Sequence, residues 1–413
     1  MTRIEAVICT RLRVPLHTPF VTALRRTEWT DTVVVRITDS DGNTGWGEAP
    51  QVWQVTGESL AGATACVEEM LAPLAFGRDV DDWPEVATAV QRAVARNFGA
   101  KAAVDVALHD LAARRAGVPF ARFLRDGDEA PKGRLARADW ASFADTSATD
   151  RTADTGNTGD TEGTDPAEAA DTAGTIPRLV ATDVTLSVGS AVELAPTAQQ
   201  RVAEGFTTLK MKVGTDAATD VARVRAVRDA VGPDVTIRLD ANQGWSPQEA
   251  VEVIHALEAA GLGVEVVEQP VAGDDVEGLA WVRNRVELPV MADESVYGMR
   301  DLDRILRLEA ADMINVKLAK CGSLDVARDL LRKAADHGLG TIVGSMMESQ
   351  IGVGAAASLV AAYPTTLTSD LDAAWWAADS PVVGGLRYVG STVTLPSGPG
   401  LGIVGLACVR GGP

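Results

Sequence analysis

Three things are scarce in this chain, and each scarcity removes a class of function. Basic residues are one: 38 Lys and Arg stand against 57 Asp and Glu, a net charge of −19. Holding a phosphate backbone needs clustered cations, so nucleic acid is not an expected partner. Cysteine is another, with only Cys9, Cys66, Cys321 and Cys408, far apart and without a CxxC pair. Neither a zinc site nor a disulfide framework has that spacing, and the four are expected to be reduced packing residues. Long apolar runs are the third. No stretch approaches the ~20 residues of a membrane span, and Met1-Thr-Arg-Ile-Glu5 lacks the apolar core of a signal peptide. A cytoplasmic protein with no membrane partner is expected.

What is present is a large apolar fraction, 46% of 413 residues, enough for a barrel-sized core and a smaller domain. Charges punctuate it at near-constant intervals. Lys210 and Lys212, Asp240, Glu268, Asp293, Lys317, and then Asp370 with Asp372 each close a short β-branched run, and the steps from Lys212 to Lys317 are 28, 28, 25 and 24 residues. A strand, loop, helix and loop take about that length, roughly 30 residues for a βαβ unit. Runs 208–213, 235–240, 264–268, 290–293 and 313–317 read as strands. Helical patterns separate them. Ser246-Pro-Gln-Glu249 offers an N-cap serine, a proline at the first helical position and a capping-box glutamate, and Gly261 marks the stop. With 182–188 before these runs, and 341–344 and 367–370 after them, eight strands are expected. Strands alternating with helices imply an α/β fold with a parallel sheet, and eight such units close into a TIM-like barrel that works at the C-terminal strand ends.

Residues 1–125 read differently. Runs 31–38 and 45–48 bracket the turn Asp41-Gly42 as a hairpin, and a long apolar helix from Ala100 to Ala116 ends at Gly117, so a compact α+β domain is expected. Its segments 18–27 and 49–58 lack apolar periodicity and are expected to be loops forming a lid over the barrel mouth. Residues 126–180 read as a mobile insertion, of which 139–175 carry nine Asp or Glu against Arg151 alone. A solvated linker is the plain reading; a partner-binding loop is the other. The barrel is assigned to 181–382.

The charges suggest a chemistry. Asp240, Glu268 and Asp293 end three successive strands, so their carboxylates are expected to converge, and hard oxygen ligands without His or Cys favour Mg²⁺. Any one of them alone reads as a helix cap or turn residue; three in phase do not. Asn242 and Glu294 adjoin these acids and are expected to support them. Lys210 and Lys212, two apart on a strand, share the interior face while Leu209, Met211 and Val213 pack outward. Lys317 comes from four strands further round. Two amines across a metal suggest that a proton leaves one face of a carbon and returns to the other. A lysine base must be neutral, which at pH 7 costs about 4 to 5 kcal/mol for an ordinary lysine, whose pKa is near ~10.4. Burial and neighbouring cations are expected to lower that pKa.

At these residues the chain resembles the enolase superfamily, in the branch with muconate lactonising enzyme and the dipeptide epimerases. The resemblance rests on Leu209-Lys-Met-Lys-Val-Gly214, Leu239-Asp-Ala-Asn-Gln-Gly-Trp245, Glu268-Gln-Pro270, Ala292-Asp-Glu-Ser295, Ile314-Asn-Val-Lys-Leu-Ala-Lys-Cys-Gly322, Gly45-Trp-Gly-Glu48 and the helical segment 102–111. It implies a (β/α)7β barrel capped by the N-terminal region and by a C-terminal segment, 383–413. It implies Mg²⁺ ligands at Asp240, Glu268 and Asp293, an acid-base pair at Lys212 and Lys317, and Lys210 as partner of the substrate carboxylate. A homo-oligomer is also implied. Ser369-Asp-Leu-Asp372 resembles the Asp-x-Asp motif by which dipeptide epimerases hold a free ammonium, a surface turn being the alternative. Phe20-Val-Thr-Ala-Leu-Arg25 resembles the segment whose arginine pairs with a glutamate side chain in Ala-Glu epimerases, though Arg26 adjoins it and both could be solvated. Ser345-Met-Met-Glu348 also resembles the family, without a role for Glu348. The expected activity is epimerisation of a dipeptide such as L-Ala-L/D-Glu at its second α-carbon. N-acylamino-acid racemase and o-succinylbenzoate synthase are the enzyme alternatives, and a catalytically silent metal-binding scaffold is the alternative of another class.

Overall fold

A computed structural model describes residues 1–22, 26–126 and 176–407. Arg25, the acidic stretch 139–175 and Cys408 lie outside the described residues. The chain opens with an antiparallel sheet of β1 (Ile4–Val21), β2 (Arg26–Asp39) and β3 (Thr44–Pro50). The expected hairpin is there, with Gly42 at φ +84° in its turn. Segment 18–27 is mostly not a loop: after an irregularity following Pro15, Phe20 pairs with Thr27 and Val21 with Arg26, so backbone pairing runs almost to the tip.

The helix Phe98–Arg115 lies across this sheet. It comes so close to β3 that a Cβ on Gly45 would meet Ala107 O at 2.0 Å and one on Gly47 would meet Ala103 O at 1.9 Å. The two glycines of Gly45-Trp-Gly-Glu48 are therefore packing requirements, two apart on one strand face. Glu48 has a joining role. Its buried carboxylate accepts hydrogen bonds from Ser349 N (2.8 Å), Ser349 Oγ (2.6 Å) and Gly352 N (2.8 Å), at the start of the helix Gln350–Ala362. Asp105 and Asp110 join likewise: Asp105 accepts from Leu324 N (2.9 Å), and Asp110 from Trp46 N (2.9 Å) and Leu401 N (2.6 Å).

After β4 (Leu179–Ala181), the strands β5 (Val184–Leu186), β6 (Thr208–Lys212), β7 (Thr236–Asp240), β8 (Val264–Glu268), β9 (Val290–Ala292), β10 (Met313–Lys317) and β11 (Gly340–Gly344) form one sheet in sequence order, parallel throughout. The eighth strand is reduced. Where 367–370 is expected to pair fully, there are only the isolated parallel bridges Thr182↔Ser369 and Gly344↔Asp370, which bring the segment between β5 and β11. Helix signals behave as expected: Glu249 N donates to Ser246 Oγ at 3.3 Å, Ser246 N donates to Glu249 Oε2 at 2.8 Å, and Gly261 has φ +61°. Leu209, Met211 and Val213 pack outward with helix residues such as Val224 and Ile254 in the main core. Four short strands follow: β12 (Val382–Gly384), β13 (Arg387–Val389), β14 (Thr392–Thr394) and β15 (Ile403–Leu406). The C-terminal segment touches the N-terminal region where Pro119 bridges Gly400 and Arg114 donates to Ile403 O. Cys9, Cys66 and Cys321 are free thiols, and no described helix is long and apolar enough to cross a membrane.

Gly47→Ala should lower stability by about 1–3 kcal/mol, as overpacking against a backbone does. Gly405→Ala, with open space around its Cβ, should change it by less than about 0.5 kcal/mol. The urea midpoints of the two variants check this.

Candidate active site

A cavity lies at the C-terminal ends of the parallel strands, with Lys212 from the end of β6, Lys317 from the end of β10 and Asp293 just past β9 on its wall. Asp370 and Asp372 also line it, and Phe20, Val52 and Val55 from the N-terminal domain cover it. Segment 49–58 is pinned to the rim: Tyr297 Oη donates to Val55 O at 2.7 Å, and Val52 packs with Ala319 and Met346. Phe20, on the hairpin arm, packs with Met347 and Trp376 and lies 5.9 Å from Lys212 Nζ.

Around the cavity, Asp240, Glu268, Asp293, Glu294, Asp370 and Asp372 are all buried, as are Lys210, Lys212, Lys317 and Lys320. Six carboxylates against four ammonium groups leave two negative charges in surplus when all are ionised. Lys210 Nζ lies 3.0 Å from Asp240 Oδ2, 2.7 Å from Glu268 Oε2 and 2.7 Å from Asp370 Oδ2. Lys212 Nζ is 2.7 Å from Asp240 Oδ2, and Lys317 Nζ is 2.7 Å from Asp293 Oδ2. The three strand-end acids thus form a row, with Lys212 beside its first member and Lys317 beside its last.

Two expectations need correction. Asp240, Glu268 and Asp293 do not converge on one point as they stand: lysine ammonium groups lie between them, and among the described residues no three acids are already spaced to share an ion. Nor is the pKa of Lys317 or Lys210 lowered. At Lys317 burial is outweighed by Asp293, and at Lys210 by Asp240 and Asp370, so both are held above the usual lysine range. The acids register the same balance. Despite burial, Lys210 and Lys212 hold Asp240 down, and Lys317 and Lys320 hold Asp293 down. Burial and the charge of Asp293 push Glu294 up to about 8, and burial with Asp240 raises Glu268.

The donor chemistry fits a hard divalent cation: oxygen ligands only, more buried carboxylates than ammonium groups, and buried acceptors at Asn242 Oδ1 and Glu294 Oε2 that have no hydrogen-bond donor among the described residues. Asp370 and Asp372 do come together. Asp370 is bound to Lys210, while Asp372 Oδ2 accepts from Thr185 N (2.7 Å) and Trp376 Nε1 (3.0 Å). Burial and the neighbouring Asp370 push Asp372 up to about 6. Of the two candidate arginines, Arg26 is exposed and paired with Glu28 at 3.1 Å.

Sequence reasoning misses three supporting residues. Lys320 Nζ donates to the side chain and main-chain oxygen of Asp293, Asn315 Nδ2 donates to Glu268 Oε1 at 2.9 Å, and Gln269 Oε1 accepts from Asp293 N at 2.8 Å. Asn315 is findable, since it is two residues before Lys317 and so on the same interior face. Lys320 lies past the strand in the helix Leu318–Cys321, where no period marks it.

This arrangement of a barrel, a capping sheet and acids ringed by lysines defines a class of α/β barrel enzymes, and comparison with known proteins agrees. Residues 193–405 match the "Enolase C-terminal domain-like" family and residues 3–124 the "Mandelate racemase / muconate lactonizing enzyme, N-terminal domain". The chain belongs to the enolase superfamily. It is 37% identical to L-Ala-D/L-Glu epimerase of Bacillus subtilis over 99% of each chain. A substrate-liganded structure of the B. subtilis L-Ala-D/L-Glu epimerase superposes with a TM-score of 0.83, at 36% identity and covering 98% of this chain and 99% of that one. The dipeptide epimerase of Enterococcus faecalis, solved with Mg and L-Leu-L-Tyr, gives 0.81 at 32% identity, with 97% and 99% covered. N-succinyl-L-Arg/Lys racemase of Bacillus cereus is 28% identical over 97% of this chain and 95% of its own length.

Glu348, buried beside Glu48 and accepting from Met346 N at 3.1 Å, is pushed up to about 8, by burial first and then by Glu48. Its folded pKa is above its unfolded one, so the folded state holds the extra proton and stability falls as pH rises from about 4.5 through 8. Glu348→Gln, neutral at every pH, should flatten that decline between about pH 5 and 8 in urea titrations.

Proposed function

We propose that this protein is a Mg²⁺-dependent dipeptide epimerase that inverts the α-carbon of the second residue by two-base 1,1-proton transfer, on L-Ala-L/D-Glu or a related dipeptide. The observation that carries the reading is the row of three buried acids with Lys212 at one end and Lys317 at the other, on a cavity that also holds Asp370 and Asp372. The B. subtilis and E. faecalis relatives, both dipeptide epimerases, support it.

In this reading one of the two lysines takes the α-proton and the other supplies a proton to the opposite face. Asp240, Glu268 and Asp293 would hold a Mg²⁺ ion, which would supply Lewis-acid stabilisation of the second negative charge on the substrate carboxylate and would offset the carboxylate charge that keeps the lysines protonated. Lys210 sits beside that carboxylate. Asn242 and Glu294 support the ion's ligands. Asp370 and Asp372 receive the free ammonium: Asp372 has no cation within salt-bridge distance among the described residues, and a buried carboxylate without one is costly. Arg25 reads an acidic second side chain. We also infer a cytoplasmic homo-oligomer, as the family resemblance implies. A racemase of N-acylated amino acids is the competing reading, supported by the N-succinyl racemase relative. The free amine separates the two.

Purified protein with Mg²⁺ and L-Ala-L-Glu in D₂O should exchange the α-proton and form the epimer. Lys317→Ala should cut epimerisation by about 10²–10⁴-fold, as loss of a general acid-base group does. Absence of exchange with every dipeptide of a library, alongside turnover of N-acyl substrates, would move the assignment to the racemase. The pH profile adds a check. Asp372 loses its charge as pH falls through about 6, and the dipeptide amine loses its own near ~8. KM should therefore rise on both sides of that window.

A further inference from the structure

The segment that carries Asp370 and Asp372 has little backbone ladder of its own, only the two isolated bridges to Thr182 and Gly344. At these bridges Asp370 N donates to Val343 O and Asp370 O accepts from Ser345 N, both at 3.0 Å, while Ser369 O accepts from Asp183 N at 3.1 Å; side chains hold the rest. Thr182 Oγ1 accepts from Leu371 N at 3.0 Å, and Ser369 Oγ accepts from Val343 N at 3.1 Å. Arg238, on the interior of β7 two residues before Asp240, reaches across to donate to Thr368 O, while its guanidinium also pairs with Glu265 at 2.5 Å and lies 3.5 Å from Asp183.

A further contact comes from the C-terminal segment. Tyr388 Oη, on β13, donates to Leu371 O at 2.6 Å. Leu371 lies between the two acids, and it is held at both its N–H and its C=O by hydroxyl groups from outside the segment. Although Tyr388 as a whole is only half-buried, its hydroxyl points inward, and burial together with the charge of Asp372 keeps the phenol protonated and donating. Asp372 is reached a second time through Trp376 Nε1, at 3.0 Å. A short irregular segment anchored at its central peptide can present two flanking carboxylates in one fixed geometry, which a free loop cannot.

We infer that Tyr388 is a positioning residue for the ammonium subsite, acting through the Leu371 peptide, with Thr182 as its counterpart on the other side. The inference rests on the reading in which Asp370 and Asp372 hold the substrate's free ammonium. Tyr388 touches no substrate atom; it sets where the two carboxylates stand.

Tyr388→Phe deletes one hydroxyl and keeps the ring. With Mg²⁺ and L-Ala-L-Glu its KM should rise about tenfold, in line with the cost of small misplacements of binding groups, with kcat retained within about twofold. An N-acetylated dipeptide, which has no ammonium, should be bound equally by the variant and the unsubstituted enzyme, as inhibitor or as substrate. Thr182→Val should give the same split. Equal losses toward both ligands, or a lowered melting temperature with unchanged KM, would show a merely structural tyrosine and overturn the inference. If the unsubstituted enzyme exchanges no dipeptide at all, the underlying reading fails first and takes this one with it. Dipeptide turnover in the unsubstituted enzyme with an unshifted KM in both variants would defeat the positioning role alone.

Discussion

A surplus of buried negative charge at the barrel mouth governs this molecule. Carboxylates out of water are costly unless a cation stands beside each one. Here four lysines meet six acids, and every lysine is placed so that its ammonium touches at least one of them. Burial first, and then a neighbouring carboxylate, raises the pKa of Glu268, Glu294 and Asp372. Such a site is complementary in sign to cations: a divalent ion at the acid row and an ammonium at Asp370 and Asp372.

Much of the remaining structure keeps that surplus in place. The parallel sheet brings charges that are far apart in sequence to one level, because each repeat ends its strand at the same height. The capping domain excludes water from above, and it is attached through buried acids, Glu48, Asp105 and Asp110, each accepting backbone N–H groups of a distant segment. Removing such a carboxylate leaves orphaned donors, so the cap's attachment is specific in register as well as favourable.

The comb of charges is legible in the sequence because β-strand periodicity forces it: Lys210, Lys212, Asp240, Glu268, Asp293 and Lys317 can be located from run lengths alone. The capping box at Ser246 and the turn at Gly42 are legible from local chemistry. The state of the charges is not. Sequence spacing places acids on one rim, but whether they converge depends on where long lysine side chains end, and Lys210 reaches three acids from three different segments. The eighth strand is overestimated from sequence because its backbone pairing is confined to a few residues around Ser369 and Asp370, while Thr368 O and both polar groups of the Leu371 peptide turn to the side chains of Arg238, Thr182 and Tyr388, which no period announces. Gly45 and Gly47 look like motif residues; they are where a helix touches a strand.

The most direct test of the account is a crystal structure with Mn²⁺ in place of Mg²⁺ and a bound dipeptide. The account predicts one ion, located by its anomalous signal, at about 2.0–2.3 Å from oxygens of Asp240, Glu268 and Asp293, with Lys212 and Lys317 on opposite faces of the second α-carbon. An ion bound elsewhere, or both amines on one face, would contradict it.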